Sequence, residues 1–328
     1  HIKAPLLWLG ATNDFHGIMY YTYRTGKLIP HQNVRYVFAP HLNHRFTPPF
    51  AVTRPLWLDQ YLKGTMKFPP TPTSKLVLNQ GVPILELSPK GGNVEKVHIY
   101  YSIDPDPQAR FWRSTDAVKQ GSKWSAKLPI LSTRQPLFAF ANVHYRLKKL
   151  STVPFAPPTK TMALSTMLHT ATPSDLQKAK VLATDKVSTS VIDDFSRGWR
   201  DWYRLNERHR QHWQFWTRKI SDEKWRGRGE DELTFDVRVE KATALVVTVT
   251  NNFFRNYRVR SEYYVAIVPL KERVWQTVRL TRGDFRSVEK KKPLKSWAQI
   301  DLLGYQPYYR QKRGKVLWGT LQWKGAQP

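Results

Sequence analysis

Residues 6–17 read Leu-Leu-Trp-Leu-Gly-Ala-Thr-Asn-Asp-Phe-His-Gly, and residues 34–45 read Val-Arg-Tyr-Val-Phe-Ala-Pro-His-Leu-Asn-His-Arg. Each opens on an apolar run, Leu6–Leu9 or Val34–Phe38, suited to a strand buried on both faces of a parallel sheet. Each run leads into a polar tip, and the tips carry Asp14 and His44. A carboxylate and an imidazole at the carboxyl ends of neighbouring strands are the acid and base members of a Ser-His-Asp triad. Chain order then expects the serine upstream, in a G-x-S-x-G elbow. Only His1–Pro5 stand there, and no such elbow occurs further along the chain.

Working outward, residues 16–26 predict the start of a helix. A second helix is expected from Pro55 to Leu62, with Pro55 in its first turn and Gly64 as its stop. Its apolar face is Trp57, Leu58, Tyr61 and Leu62, at 3.6-residue spacing. Residues 1–66 thus make one and a half βα units, too little sheet to fold alone. Residues 67–75 form a proline-rich linker around Phe68-Pro69-Pro70-Thr71-Pro72. Beyond it the hydrophobic period changes to two, as in Val97-His98-Ile99-Tyr100-Tyr101, and the Asp104-Pro105-Asp106-Pro107 segment reads as a turn. Residues 76–158 are therefore expected to form a β-sandwich and 159–189 a connector. Residues 190–328 carry roughly eight further strands, which suggests a two-sheet jelly roll.

The bulk properties narrow the function classes. The 328 residues are 41% hydrophobic, the composition of a globular protein, and no apolar run approaches the roughly 18 residues of a membrane span. There is no cysteine, which removes disulfides, thiolate nucleophiles and cysteine zinc sites and fits a chain made for the periplasm or the exterior. The net charge of +28 invites a nucleic-acid reading. Its distribution argues against one: residues 190–328 hold 29 Lys and Arg against 16 Asp and Glu, so the excess is spread along the chain with no basic tail. Anionic polysaccharide or envelope surfaces account for the charge as well.

At the residue level alternatives stand beside each role. Asp14 could cap the following helix. His44 has rivals in His41 and His16, and Asp14, His41 and His44 together could hold a metal. In the last third, Trp199, Trp202, Tyr203, Trp213, Phe215, Trp216 and Trp225 offer flat rings that could stack on sugars or could pack a core. Tyr305, Tyr308 and Tyr309 form a second such group. Trp202, Trp213, Trp216 and Tyr308 are the preferred sugar contacts. No cofactor is expected, although Asp193 or Asp194 could contribute to a structural calcium site.

The run LWLGATNDFHG, followed by APHLNHR and LWLDQYLKG, resembles the last part of α/β-hydrolases of the bacterial acetyl-xylan-esterase and prolyl-oligopeptidase-like group. The resemblance implies that Asp14 is the triad acid and His44 the base. VHIYYSIDPDPQARFWRS resembles the β-sandwich module that follows such domains. IDDFSRGWRDWY and VWQTVRLTRGDF resemble galactose-binding-like jelly rolls. The expected architecture is multidomain: a truncated α/β-hydrolase fragment followed by two all-β domains. The expected function is that of a serine esterase or peptidase, with its N-terminal hydrolase segment and nucleophile missing from this chain, which alone should be inactive. Its substrate would be an ester or peptide, plausibly linked to polysaccharide. The alternative is a non-catalytic carbohydrate-binding envelope protein.

Overall fold

The computed structural model describes residues 2–79, 81–154, 157–185, 190–203, 214–256, 258–308 and 314–325. The described residues are mostly β, with 43% strand against 13% helix. It divides into two compact units, His1–Asp185 and Lys186–Pro328.

The first unit opens with β1 (Leu6–Ala11), α1 (Met19–Gly26) and β2 (Val34–Ala39). β1 and β2 pair in parallel, with Leu6 opposite Val34 and Ala11 opposite Ala39. Two short helices, α2 (Pro48–Ala51) and α3 (Thr53–Leu58), follow, and Asp59–Lys63 winds into a π-turn that Gly64 ends in a left-handed conformation. The helix expected over 55–62 therefore begins earlier and changes its winding halfway.

A two-stranded parallel sheet needs cover on both faces, and the sandwich supplies much of it. One sandwich sheet contains β3 (Thr73–Val77), β4 (Ile84–Ser88), β7 (Val118–Gln120) and β8 (Lys123–Lys127). The other is built around β5 (Val94–Ser102), β6 (Arg113–Asp116), β9 (Leu137–Ser151), β10 (Thr159–Ser165) and β11 (His169–Ala171). Residues 159–185, expected as a connector, instead supply β10, β11 and the capped helix α4 (Pro173–Lys178) to this unit. Met19, Tyr23, Val34, Tyr36 and Phe38 from the βα piece join Tyr100, Trp112 and Phe140 of the sandwich in one buried cluster. The two sequence-defined parts share a core.

The outer edge of β2 is sealed by side chains rather than by a strand. The Phe38 N–H donates to Ser165 Oγ at 2.8 Å, and Asn142 Nδ2 donates to the Phe38 carbonyl at 3.1 Å. Ser165 Oγ in turn donates to Asn142 Oδ1 at 2.6 Å, and both side chains are fully buried. The opposite edge, that of β1, pairs with no strand among the described residues. β1 is accordingly half-buried along most of its length, whereas every residue of β2 is buried.

The second unit is a two-sheet antiparallel sandwich of the expected jelly-roll kind. One sheet runs β12 (Val191–Asp193), β20 (Val316–Lys324), β14 (Glu232–Val239), β17 (Trp275–Leu280). The other runs β13 (Phe215–Thr217), β19 (Ile300–Pro307), β15 (Thr243–Asn251), β16 (Glu262–Leu270), β18 (Arg286–Ser287). Period-2 burial is clearest on β15, where Leu245, Val247 and Val249 join one core with Phe235, Leu321 and Tyr305. Gly304 is obligatory in β19, because a Cβ there would run into the Trp216 indole and Thr248.

The sealed edge of β2 is directly testable. Asn142→Leu strands the Phe38 carbonyl and removes a partner of Ser165, so we expect a loss of about 2–6 kcal/mol at roughly 1–3 per orphaned group. Urea unfolding followed by the fluorescence of Trp8 and Trp112 should register it; an unchanged midpoint would show that the seal contributes nothing.

Candidate active site

The turn after β1 fixes Asp14 with one oxygen and offers the other. Oδ1 accepts the backbone N–H groups of His16 at 2.8 Å and Gly17 at 2.9 Å. Oδ2 lies 2.9 Å from His44 Nδ1. The cap and the carboxylate–imidazole contact thus coexist, and the cap serves the turn rather than α1, whose N-cap is Ile18. The Asp14 side chain is 11% exposed and that of His44 38%, so the pair sits at the surface with the acid on its inner side.

The loop after β2 presents His44 through strained backbone. His41 and His44 have φ of 62° and 52°, the left-handed region. Each costs a non-glycine residue about 1–2 kcal/mol and persists only where surroundings hold it. Those surroundings are on the neighbouring turn: the His41 N–H donates to Thr12 Oγ1 at 2.9 Å, and the Asn13 N–H to the Leu42 carbonyl at 3.1 Å. The three histidines separate in role. His41 is buried, its ring stacked on Phe111 at 5.2 Å and 18° and edge-on to Tyr100. His44 takes the contact with Asp14. His16 lies beyond it, its Nδ1 3.1 Å from His44 Nε2, and Phe15 packs edge-on against both rings. Among the described residues no group of three or more His, Asp or Glu is arranged to hold a metal, and the Asp14–His41–His44 set is not assembled as one.

Sequence reasoning missed what holds Asp14 from behind. Asn13 is buried and its Nδ2 donates to the carbonyls of Gln108 at 3.1 Å and Arg110 at 2.8 Å. Gln108 Nε2 returns a bond to the Phe15 carbonyl at 3.3 Å. Both acceptors belong to the sandwich loop that follows Asp104-Pro105-Asp106. That loop is itself clamped by Arg110, which donates to the Pro105 and Asp106 carbonyls and lies 3.8 Å from the Phe138 ring centroid. Burial, against the pull of Asp104 and Asp106, lowers the Arg110 pKa to about 10. The sequence marked this segment only as a turn, since nothing local in it shows which distant carbonyls it presents.

The preferred sugar contacts fare differently. Trp202 and Trp216 are 6% and 8% exposed, so neither leaves a face free for stacking. Trp202 stacks on Tyr305 with ring centroids 5.7 Å apart and donates its indole N–H to Asp193 at 2.8 Å. Trp213 and Tyr309 lie outside the described residues, and Tyr305 is fully buried. Tyr308 is 41% exposed. At Asp193, the alternative calcium position, a positive charge is already present: Lys219 Nζ lies 3.4 Å from Asp193 and 3.1 Å from Asp201. Asp194 is committed to the Ser196 backbone and hydroxyl, whose hydrogen bonds lower its pKa.

No family model and no curated protein matches the chain. Among solved structures, it is similar to a family 11 carbohydrate-binding module from Clostridium thermocellum in complex with a β-1,3-1,4-mixed-linked tetrasaccharide, at 10% identity over 77% of this chain and 82% of that one, with a TM-score of 0.24. The family 11 carbohydrate-binding module of the cellulosomal cellulase Lic26A-Cel5E of Clostridium thermocellum aligns at 12% identity over 77% and 95%, again with a TM-score of 0.24. At that score neither likeness bears on this chain's function.

If the sandwich loop sets the Asp14 turn, Asn13→Ala should disturb the Asp14–His44 contact while the chain stays folded. The readout is the downfield imidazole N–H resonance of His44, assigned by its loss in Asp14→Asn. We expect it to broaden or vanish in Asn13→Ala with a stability loss of about 1–3 kcal/mol; an unaltered resonance would refute the dependence.

Proposed function

We propose that Asp14 and His44 are the acid and base of a Ser-His-Asp hydrolase acting on esters, with acyl groups on polysaccharide as the preferred class. The observation that carries the reading is the 2.9 Å contact between Asp14 Oδ2 and His44 Nδ1 at the carboxyl ends of two parallel strands. In this reading Asp14 fixes the tautomer, and His44 Nε2 takes the proton of a serine hydroxyl and then returns it to the leaving group. The serine is supplied by a segment outside residues 1–328. The edge of β1 supports this, since among the described residues no strand pairs with it and its apolar residues have the composition of an interior strand of a parallel sheet. Tyr20, Tyr21, Leu58 and Leu62, each about half or more exposed on the flanking helices, are apolar surface of the kind further sheet and helices would cover. The motif resemblance to acetyl-xylan-esterase-like hydrolases favours esters over peptides.

The test begins with the coding sequence upstream of His1, where a strand–G-x-S-x-G–helix segment is expected. The extended protein should hydrolyse aryl acetates, and His44→Ala or Asp14→Asn should lower kcat by about 10⁴-fold. An upstream start codon, an unrelated upstream domain, or hydrolysis indifferent to His44 would sink the proposal.

A second reading, non-catalytic carbohydrate binding by the last unit, draws on the exposed ring of Tyr308 beside its two-sheet sandwich. Glycan-array binding by the full chain should then fall about tenfold or more in Tyr308→Ala, in line with the 0.5–1.5 kcal/mol of a ring contact plus its buried area. Undiminished binding rejects that position.

A further inference from the structure

We propose that His16 and His44 form a two-histidine site for a divalent transition-metal ion, zinc or copper, that blocks the outward nitrogen of His44. The inference goes beyond the hydrolase reading, because it concerns ion binding by this chain as it stands.

The separation of the two ring nitrogens, which hydrogen-bond to each other in the metal-free chain, also suits two ligands of one ion. His44 Nε2 and His16 Nδ1 face each other at 3.1 Å. Two imidazole nitrogens each about 2.0–2.1 Å from a shared metal, at that separation, subtend about 100°, between the square-planar and tetrahedral angles. The rings need not be recruited from solvent, because Phe15 packs edge-on against both, at 4.4 Å from His16 and 4.8 Å from His44.

The tautomers point the same way. The Nδ1–H of His44 faces the Asp14 carboxylate, so neutral His44 presents a lone pair at Nε2. Something positive must then lie between the two nitrogens. In the metal-free chain it is the proton of His16 Nδ1. A tautomeric shift of that proton to His16 Nε2 leaves a lone pair on each of the two facing nitrogens, with no change in the charge of either ring. Asp14 would act as the outer carboxylate of a carboxylate–histidine–metal arrangement, orienting the ring and raising its basicity. Its other oxygen is already fixed by the backbone of His16 and Gly17, so one carboxylate ties both ligands together. The half-open surface of His44 leaves room for the waters that complete the coordination shell. With two protein ligands the ion binds more weakly than in three- or four-ligand sites, which suits a reversible block rather than a structural centre.

Isothermal titration of the full chain with zinc chloride, repeated with copper sulfate, reads the site. We expect one ion per chain, bound at least tenfold more weakly in His16→Ala and in His44→Ala, and about tenfold more weakly in Asp14→Asn. His31→Ala, remote in sequence, should leave it unchanged. Histidine side-chain NMR of the unaltered chain guards against misfolded variants: zinc should shift the ring signals of His16 and His44 together. Binding that survives either alanine variant, or shifts confined to other histidines, overturns the proposal. Neither outcome touches the acid–base reading, which stands or falls on His44-dependent hydrolysis in the extended protein.

Discussion

The arrangement of the first unit depends on how a two-stranded parallel sheet is kept from water. Such a sheet cannot cover its own faces or satisfy both of its edges, and β1–β2 is rescued on one side only. The Asn142–Ser165 pair answers the N–H and carbonyl of Phe38, and the sandwich contributes Tyr100, Trp112 and Phe140 to the core beneath. β2 is thus tied on its outer edge and beneath, and the loop that carries His44 leaves from that tied strand. Edge pairing, core sharing and presentation of the imidazole are therefore one constraint seen at three distances.

The same economy governs the acid. A short turn bearing an aspartate would ordinarily be the softest part of a sheet edge. Here Asn13, one residue before Asp14, reaches through the interior to two carbonyls of the sandwich loop, and Thr12 reaches sideways to the backbone of His41. The left-handed conformation of His41 is held by the last of these bonds. The sandwich thus has a direct hold on the turn that carries Asp14.

Much of the fold was legible because periodicity is local. The two apolar runs announced the parallel pair, and the change to period two marked where the sandwich begins. What stayed hidden was non-local. Residues 159–185 have strand composition but weak turn signals, and only pairing with β9 reveals Thr159–Ser165 and His169–Ala171 as sandwich strands. At the site, Asp14 and His44 could be found from their places after strands, yet Asn13 and Arg110 could not, since a buried asparagine and a buried arginine look polar and exposed in sequence. The aromatic run near Trp202 was ambiguous for the converse reason. Trp and Tyr serve cores and sugar platforms alike, and what separates them here is a buried partner: Asp193, which takes the Trp202 indole N–H and is balanced by Lys219.

The contrast between the two edges of the small sheet carries the last step. β2's edge is closed by two buried polar side chains that exist for no other visible purpose, which is the expected treatment of an outermost strand. β1 carries no such device among the described residues, although it is the more apolar of the two strands, with a leucine or tryptophan at each of its first four positions. A strand built to be outermost would carry lysine, proline or a bulge there. Leu6–Leu9 has none, and its composition is that of an interior strand. Among the described residues the two edges therefore differ: that of β2 is answered by Asn142 and Ser165, and that of β1 has no strand beside it. The edge without a strand lies on the Asp14 side of the Asp14–His44 contact, and His44 follows the strand whose edge is answered.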